Sequence, residues 1–244
     1  MKLWTTNDIL SYLEDNLEIV ADVTKLTEEE YALVRKDSLG ASDSSVVLGV
    51  NLYKNKDQLI TEKRNKTVTA EEKEIGKKPA VKKGKDLEPF VLDKFVKATG
   101  IPIVKPPFMY RHKEYPCLTT NFDGVGIEEC IIPVEAKIVT KYGEKYYKKQ
   151  LPLNKEMVVE VRTSDVVEHI KYWADKCGIP PYYYTQVQQQ ILFLDSKGYK
   201  SPYGYLACIF DDSWDFVYFF VPRDEFVISH IISDGSKLWE KIAA

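Results

Sequence analysis

At 244 residues the chain is long enough to bury one substantial core, and no break in composition calls for a second domain. The sequence has no run of about 18 apolar residues and no charged-then-apolar N-terminal signal, which argues against membrane insertion and secretion. Its net charge of −3 argues against a protein that simply coats nucleic acid, because neutralisation of phosphates by Lys and Arg drives such affinity.

The N-terminal part is predicted to be helical over about residues 6 to 35, within a helical region that extends to about residue 50. The segment Arg35-Lys-Asp-Ser-Leu-Gly-Ala-Ser42 follows, and its small residues predict that another helix opens at Ser42. The chain then reads Leu48-Gly-Val-Asn-Leu-Tyr53 and continues into a basic linker.

Lysines are concentrated in two stretches. Six lysines and one acid lie between Lys73 and Lys85, and four lysines and one acid lie between Lys141 and Lys149. One interpretation is a pair of solvated loops, and the other is a positive path that leads an anionic substrate toward an acidic site.

The next predicted helix carries an acid at its start. Leu87, Phe90, Val91 and Phe95 recur at helical spacing, and Asp86 is a plausible N-cap that would place Pro89 in the first turn. Glu88 would then lie where the helix macrodipole favours an anion. The alternative is that Glu88 is only an ordinary first-turn acid.

Two predicted strands, Leu118–Phe122 and Val134–Val139, carry the most informative acids. Successive side chains alternate faces in a strand, so Glu135 and Lys137 project to the same side. Together with Asp123 they would supply two carboxylates and an ammonium, which suits Mg²⁺ and a water to be deprotonated beside it. A solvated Glu/Lys pair on a strand is the alternative, and Pro133 suggests a strand start or an edge strand.

The stretch from about 140 to 178 is predicted to be an insertion. It contains a helix over Ser164–Cys177 and a further strand of the sheet over Met157–Val161. Its triplet Glu160-Val-Arg162 imitates the Glu-x-Lys pattern, but arginine stays protonated and cannot serve as a base. We therefore prefer the triplet at Glu135.

The C-terminal third alternates helix and strand again. A helix that begins near Pro181 places Tyr183, Gln186 and Gln190 on one face, although no motif supports a role for Gln190. Strands are predicted over Tyr205–Phe210 and Phe216–Val221, joined by a turn at Asp211-Asp212, and a C-terminal helix follows.

Taken together, these motifs resemble the lambda-exonuclease-like, YqaJ-type viral recombinase nucleases of the PD-(D/E)xK superfamily. The resemblance covers about Arg35 to Gln188, and it depends on the motifs occurring in order: Arg35 with Ser42, Glu88, Asp123, Glu135-x-Lys137, and Tyr183-x-x-Gln186-Val-Gln188. It implies an α/β fold with a restriction-endonuclease-like core, in which helices flank a central mixed β-sheet. Residues 1–244 would then form a single nuclease domain.

The resemblance also implies a role for each motif residue. Asp123 and Glu135, with the main-chain carbonyl of Ala136, would bind Mg²⁺ or Mn²⁺, and two ions are expected. Glu88 would assist through water, Lys137 would orient or deprotonate the attacking water, and Gln186 would hydrogen-bond that water or the lysine. Burial and the metal would lower the pKa of Lys137. Finally, Arg35 and Ser42 would bind a 5′-phosphate at a DNA end.

The implied function is degradation of double-stranded DNA from its ends, 5′ to 3′, in phage-type single-strand-annealing recombination. The implied partners are DNA ends, a single-strand annealing protein and two further copies in a homotrimer, in the cytoplasm of a bacterium or phage-infected cell. The alternatives are a related endonuclease, a Cas4-like CRISPR-associated nuclease, or an inactive DNA-binding module. The four cysteines are scattered without a CxxC pair, which indicates reduced cytosolic thiols and disfavours the Cas4-like class.

Overall fold

The computed structural model of the protein describes residues 5–70, 74 and 78–244. The helices are α1 (Thr6–Asn16), α2 (Glu28–Val34), α3 (Ser44–Val47), α4 (Lys56–Arg64), α5 (Pro79–Thr99), α6 (Lys141–Glu144), α7 (Val166–Cys177), α8 (Pro181–Phe193) and α9 (Glu225–Ala243). The strands are β1 (Leu17–Asp22), β2 (Leu39–Gly40), β3 (Ile103–Val104), β4 (Phe108–His112), β5 (Leu118–Thr120), β6 (Gly124–Ile127), β7 (Ile131–Val139), β8 (Tyr203–Phe210) and β9 (Phe216–Pro222). Short 3₁₀ turns occupy Arg35–Asp37 and Ala41–Asp43.

The strands form two mixed sheets. The larger sheet has the order β3-β6-β7-β8-β9, and within it only β7 and β8 run parallel among the described pairs. The smaller sheet has the order β1-β4-β5-β2, with β2 and β5 parallel. This architecture confirms the predicted α/β fold with a central mixed sheet flanked by helices.

Strand β7 lies at the centre of the larger sheet and is covered on both faces. Val134 and Ala136 point into a hydrophobic cluster with Val91 and Phe95 of α5. The opposite face is covered by α8, most of which is buried. Each buried Val or Phe contributes about 1.5–3 kcal/mol through loss of contact with water, so packing on both faces fixes the register of β7.

Helix α5 begins earlier than predicted. Its first residue is Pro79, and it continues through Thr99, so Glu88 lies in the middle of the helix and not at its start. Asp86 is therefore not the N-cap, and Pro89 lies inside the helix, where it cannot donate a hydrogen bond to the preceding turn. Packing of the following turns on β7 keeps the helix continuous.

Three other expectations about strands were wrong. The N-terminal region is not entirely helical, because β1 pairs with β4. Residues Met157–Val161 form no strand, and Val158 and Val161 are 80% and 58% exposed, so the segment does not bury the apolar side chains that suggested a strand. Pro133 lies within an inner strand; the β8 ladder starts only at Val134, and Gly204 leaves room for the proline ring.

The remaining elements follow the sequence closely. Helix α7 begins after Asp165, whose carboxylate accepts hydrogen bonds from the first free N–H groups of the helix. The two C-terminal strands are confirmed by β8 and β9. No helix among the described residues is both long and apolar enough to cross a membrane.

Candidate active site

All eight residues predicted from the motifs line one cavity. The cavity has a volume of about 520 Å³ and lies between α5, α8, the turn after β2 and the start of β6. The predicted residues in its wall are Arg35, Ser42, Glu88, Asp123, Glu135, Ala136, Lys137 and Gln186. Long-range folding therefore brings together residues that are up to about 150 positions apart in sequence.

The centre of the site is formed by two neighbouring strands. Asp123 immediately precedes β6, and Glu135 and Lys137 lie on β7, with Gly124 opposite Val134 in the antiparallel ladder. The ammonium of Lys137 contacts Glu135 Oε1 and lies 3.5 Å from Asp123 Oδ2. Asp123 Oδ2 also accepts a hydrogen bond of 3.0 Å from the Ala136 N–H, which holds this carboxylate against β7.

Glu135 is a buried carboxylate with an unusual set of donors. Its side chain is 1% exposed, and its two oxygens accept hydrogen bonds of 2.5 Å from Gln186 and Gln190. Burial, followed by repulsion from Asp123, raises the pKa of Glu135 to about 7. The Lys137 ammonium, followed by the hydrogen bond from Gln190, favours the charged form and opposes part of that increase in the pKa of Glu135.

Lys137 is more basic than an ordinary lysine in this arrangement. Burial disfavours its ammonium form, but attraction by Glu135 and Asp123 outweighs burial and raises the pKa of Lys137 well above its usual value. This direction is opposite to the lowered pKa that we predicted for a general base. Burial and a metal charge both favour a lower pKa, but the attraction of the two neighbouring carboxylates, which we did not include in the prediction, has the opposite effect.

Helix α8 supplies the polar wall opposite β7. Pro181 starts the helix, and Tyr183, Gln186 and Gln190 follow at spacings that keep them on one face. The Tyr183 ring centroid lies 5.8 Å from the Lys137 ammonium, close enough for a cation–π contact. The sequence analysis placed Gln190 on this face but assigned it no role, because no motif supports one; the structure shows that it donates a hydrogen bond to Glu135.

Glu88 lines the cavity with Asp123 and Glu135 and is paired with Lys105. Its Oε1 accepts a hydrogen bond of 2.5 Å from Lys105, and burial followed by Asp123 raises the pKa of Glu88. Within the described ranges, no group of three or more Asp, Glu, His or Cys side chains is arranged to hold a metal ion. A direct metal set would therefore consist of Asp123, Glu135 and a carbonyl oxygen such as that of Ala136. These are hard oxygen donors of the kind that Mg²⁺ and Mn²⁺ prefer, so the residues fit the predicted metals.

Arg35 and Ser42 meet at the other side of the cavity. Arg35 Nη2 donates a hydrogen bond of 2.9 Å to Ser42 Oγ. Below them, Asp43 Oδ2 accepts from the Gly40 N–H at 2.9 Å and pairs with the Lys63 ammonium at 2.7 Å. Lys63 also donates to the Arg35 carbonyl at 2.7 Å. The buried Asp43–Lys63 pair thus fixes the backbone on both sides of this position, and no local sequence pattern predicts this pair.

The lysine-rich stretches are more structured than solvated loops. Residues 78–85 belong to the α5 region, where Lys83 pairs with Asp211 and Lys85 lies 3.0 Å from Glu28. Lys73 and Lys77 lie outside the described residues. In the second stretch Lys148 pairs with Asp175. The positive path stays a prediction, because these pairs neutralise part of the charge.

The imitation triplet lies apart from the cavity. Arg162 and Glu160 are 3.6 Å apart on an exposed loop, with side chains 58% and 72% exposed. The Trp173 indole donates to the Glu160 carbonyl, so the segment is anchored to α7 and not to the larger sheet. This position fits the alternative that such triplets are usually solvated pairs.

A mixed sheet with this acid–acid–lysine set at its centre defines a restriction-endonuclease-like fold. The family model for the YqaJ-like viral recombinase domain matches residues 30–195. The chain therefore belongs to the YqaJ-like viral recombinase domain family, and the resemblance drawn from the motifs is confirmed.

Similar proteins align with most of the chain. The uncharacterized protein YqaJ of Bacillus subtilis (strain 168) is 24% identical over 222 residues, which is 91% of this chain and 58% of that protein. The crystal structure of an alkaline exonuclease, LHK-Exo from Laribacter hongkongensis, has a TM-score of 0.53 at 18% identity, covering 88% of this chain and 92% of that one. Its complex with dAMP has a TM-score of 0.52 at the same identity and coverage. At this identity the structural likeness establishes the fold alone.

Proposed function

We propose that this protein is a metal-dependent exonuclease that degrades double-stranded DNA from its ends. One observation carries the proposal: Asp123, Glu135 and Lys137 share a cavity with the hydrogen-bonded pair Arg35 and Ser42. The first set suits hydrolysis of a phosphodiester, and the second suits recognition of a terminal phosphate. The fold of LHK-Exo, an alkaline exonuclease, is consistent with this activity.

Asp123, Glu135 and the Ala136 carbonyl would hold Mg²⁺ or Mn²⁺, and Glu88 would act through water. Two bound ions would polarise the phosphate and lower the pKa of water. Within the protein, Gln186 and Gln190 orient Glu135, and the Asp123–Ala136 hydrogen bond keeps the second carboxylate next to it. Lys137 would hold the attacking water, and it would act as a base once its two carboxylates engage cations.

The proposed polarity is 5′ to 3′. The Arg35 guanidinium can form paired hydrogen bonds with a phosphate, and the Ser42 hydroxyl adds a further donor. A 5′-phosphorylated end bound there would bring the adjacent phosphodiester toward Asp123 and Glu135 in the same cavity. The remaining 3′ strand would be available to a single-strand annealing protein, and a homotrimer is the assembly suggested by family resemblance.

The decisive experiment measures nucleotide release from an end-labelled linear duplex during a Mg²⁺ titration, with and without EDTA. We expect metal-dependent release by the unmodified protein and loss of at least a hundredfold in rate for Glu135→Gln and Lys137→Ala, in line with removal of groups that act at the reacting centre. Glu160→Gln is a matched control, because Glu160 belongs to the exposed imitation triplet. Circular dichroism would verify that each variant is folded.

Three results would contradict the proposal. Nucleotide release that persists in EDTA would show that hydrolysis does not depend on a metal ion. Full activity of Glu135→Gln would show that this cavity is not the active site. Cleavage of covalently closed circular duplex at the same rate would favour an endonuclease. Equal rates on 5′-phosphate and 5′-hydroxyl ends would remove the proposed role of Arg35 and Ser42.

A further inference from the structure

A strongly exposed aromatic side chain lies on the segment that follows α3, the helix directly after the turn that carries Ser42. Tyr53 is 76% exposed, and its neighbour Leu52 is 54% exposed. The backbone at this point is nevertheless fixed, because Asn51 Oδ1 accepts hydrogen bonds of 2.8 Å from the N–H groups of Tyr53 and Lys54. Asn51 is itself anchored by a hydrogen bond of 2.8 Å to Ser45 on α3. An apolar ring is therefore held in water by a rigid support.

Tyr53 begins a row of tyrosine rings that ends at Lys137. The Tyr53 and Tyr182 ring centroids lie 6.3 Å apart in an edge arrangement, and those of Tyr182 and Tyr183 lie 4.5 Å apart. Tyr183 in turn lies 5.8 Å from the Lys137 ammonium. The row thus connects the protein surface to the reactive centre through three successive aromatic contacts.

This arrangement has a clear chemical use beside a site for phosphodiesters. Nucleobases stack on exposed aromatic rings without regard to sequence, and each stacked base strengthens binding by about 5- to 150-fold. Burial raises the pKa of Tyr182, so its ring stays neutral beside a phosphate backbone. Packing does not explain Tyr53, because most of its surface is in contact with water.

We propose that Tyr53 and Tyr182 form a stacking platform for a nucleobase near the phosphodiester that enters the cavity. The substrate class rests on the proposed function, but the platform is a binding site that can be measured without hydrolysis. Stacking there would hold the terminal part of a strand in line with the turn that carries Ser42 and with Lys137. The expected preference is for any unpaired or frayed base, with little dependence on its identity.

The test uses short 5′-phosphorylated duplexes that carry 2-aminopurine at one of the terminal positions, mixed with the full chain in EDTA. Stacking on a tyrosine quenches the probe, so we expect quenching at one or two adjacent positions and not elsewhere. Tyr53→Ala should abolish that quenching and raise Kd by about 5-fold or more, whereas Tyr53→Phe should preserve both. In Mg²⁺, Tyr53→Ala should raise KM and change kcat less than twofold.

Tyr172→Ala provides the matched control, because Tyr172 is a 38% exposed tyrosine on α7 whose ring packs against Trp173 and is not part of the row that leads to Lys137. Equal Kd and equal quenching for Tyr53→Ala and Tyr172→Ala would overturn the platform. Quenching without hydrolysis in Mg²⁺ would retain the platform and reject the proposed activity, whereas hydrolysis without quenching would reject the platform alone. Failure of the unmodified protein to bind the duplex would overturn both.

Discussion

The buried Asp43–Lys63 ion pair supports the turn that carries Ser42, and breaking this pair is the strictest test of what holds the candidate site together. The two side chains are 6% and 2% exposed, and their charged atoms are 2.7 Å apart. Asp43→Ala would leave the Lys63 ammonium buried without its partner and would release the Gly40 N–H from its acceptor. It would also loosen the Arg35 backbone, whose carbonyl accepts from the same ammonium.

The expected loss is large. Removing one partner of a buried ion pair costs about 3–5 kcal/mol. The free energy of unfolding of a typical domain is about 5–15 kcal/mol, so this loss is a large part of it. Burial opposes ionisation of Asp43, but Lys63 and Arg35 outweigh burial and lower the pKa of Asp43. Its folded-state pKa is thus below its unfolded value, so this stabilisation is present above the ordinary Asp pKa and is lost as pH falls through the lowered value.

Urea denaturation of Asp43→Ala at neutral pH measures this loss, and Lys66→Ala is the control. Lys66 pairs with Asp37 at the same distance of 2.7 Å, but both side chains are more than 60% exposed, at 65% and 62%. That surface pair contributes about 0–1 kcal/mol. If Asp43→Ala costs no more than Lys66→Ala, the reasoning about burial is wrong.

A second measurement separates support of the site from general stability. Replacement of both charges, in Asp43→Leu with Lys63→Met, removes the unpaired ammonium and should recover much of the lost free energy of unfolding. The Gly40 hydrogen bond is still missing in this double variant. We therefore expect it to fold and yet to discriminate less between 5′-phosphate and 5′-hydroxyl ends.

Three further predictions concern other parts of the chain. Burial lowers the pKa of His112, whose Nδ1 accepts hydrogen bonds of 3.2 Å from two backbone N–H groups. The stabilisation contributed by neutral His112 should therefore decrease as pH falls from 6.5 through the lowered pKa, and an NMR titration midpoint at or above 6.5 would contradict this. Gln190→Ala should raise the pKa of Glu135 above about 7 and shift the pH–rate profile upward, whereas Gln189→Ala, which loses only bonds to backbone carbonyls, should not shift it. Gly178→Ala would bring a Cβ to 2.4 Å from a backbone oxygen, whereas Gly100 has a similar positive φ but open space around it. In urea denaturation, Gly100→Ala should lower the free energy of unfolding by about 1–2 kcal/mol, and Gly178→Ala should lower it by about 1–3 kcal/mol more.

Local patterns predicted which side chains share a face of a strand or helix. Strand alternation was sufficient to put Glu135 and Lys137 on one face, because a strand buried on both faces has no freedom to change register. Helical spacing after Pro181 likewise put Tyr183 and Gln186 on one face. The order of motifs supplied the remaining information, namely that Arg35 and Ser42 belong to the same cavity.

Features that depend on distant partners were not predictable in the same way. The Asp43–Lys63 pair joins two residues with no local pattern, and only tertiary structure makes them neighbours. The turns of α5 before Pro89 form ion pairs with distant partners, Lys83 with Asp211 and Lys85 with Glu28, which the local pattern around Pro89 does not report. Met157–Val161 has the composition of a strand, but β-propensity reflects packing on a half-buried surface, and composition does not report whether the segment has such a surface to pack on.

The electrostatics of the centre lead to a last prediction, about what the predicted metals do for the fold. Lys137 already provides a positive charge to Asp123 and Glu135, so the fold does not need a cation to neutralise these two carboxylates. We therefore expect the thermal unfolding temperature in EDTA to equal that of untreated protein, and Mg²⁺ to raise it only by mass action. Lys137→Met should lower the temperature in EDTA, and Mg²⁺ should restore part of the loss. Unfolding of the unmodified protein by EDTA would contradict this argument, because it would make the metal a structural component as in a zinc finger.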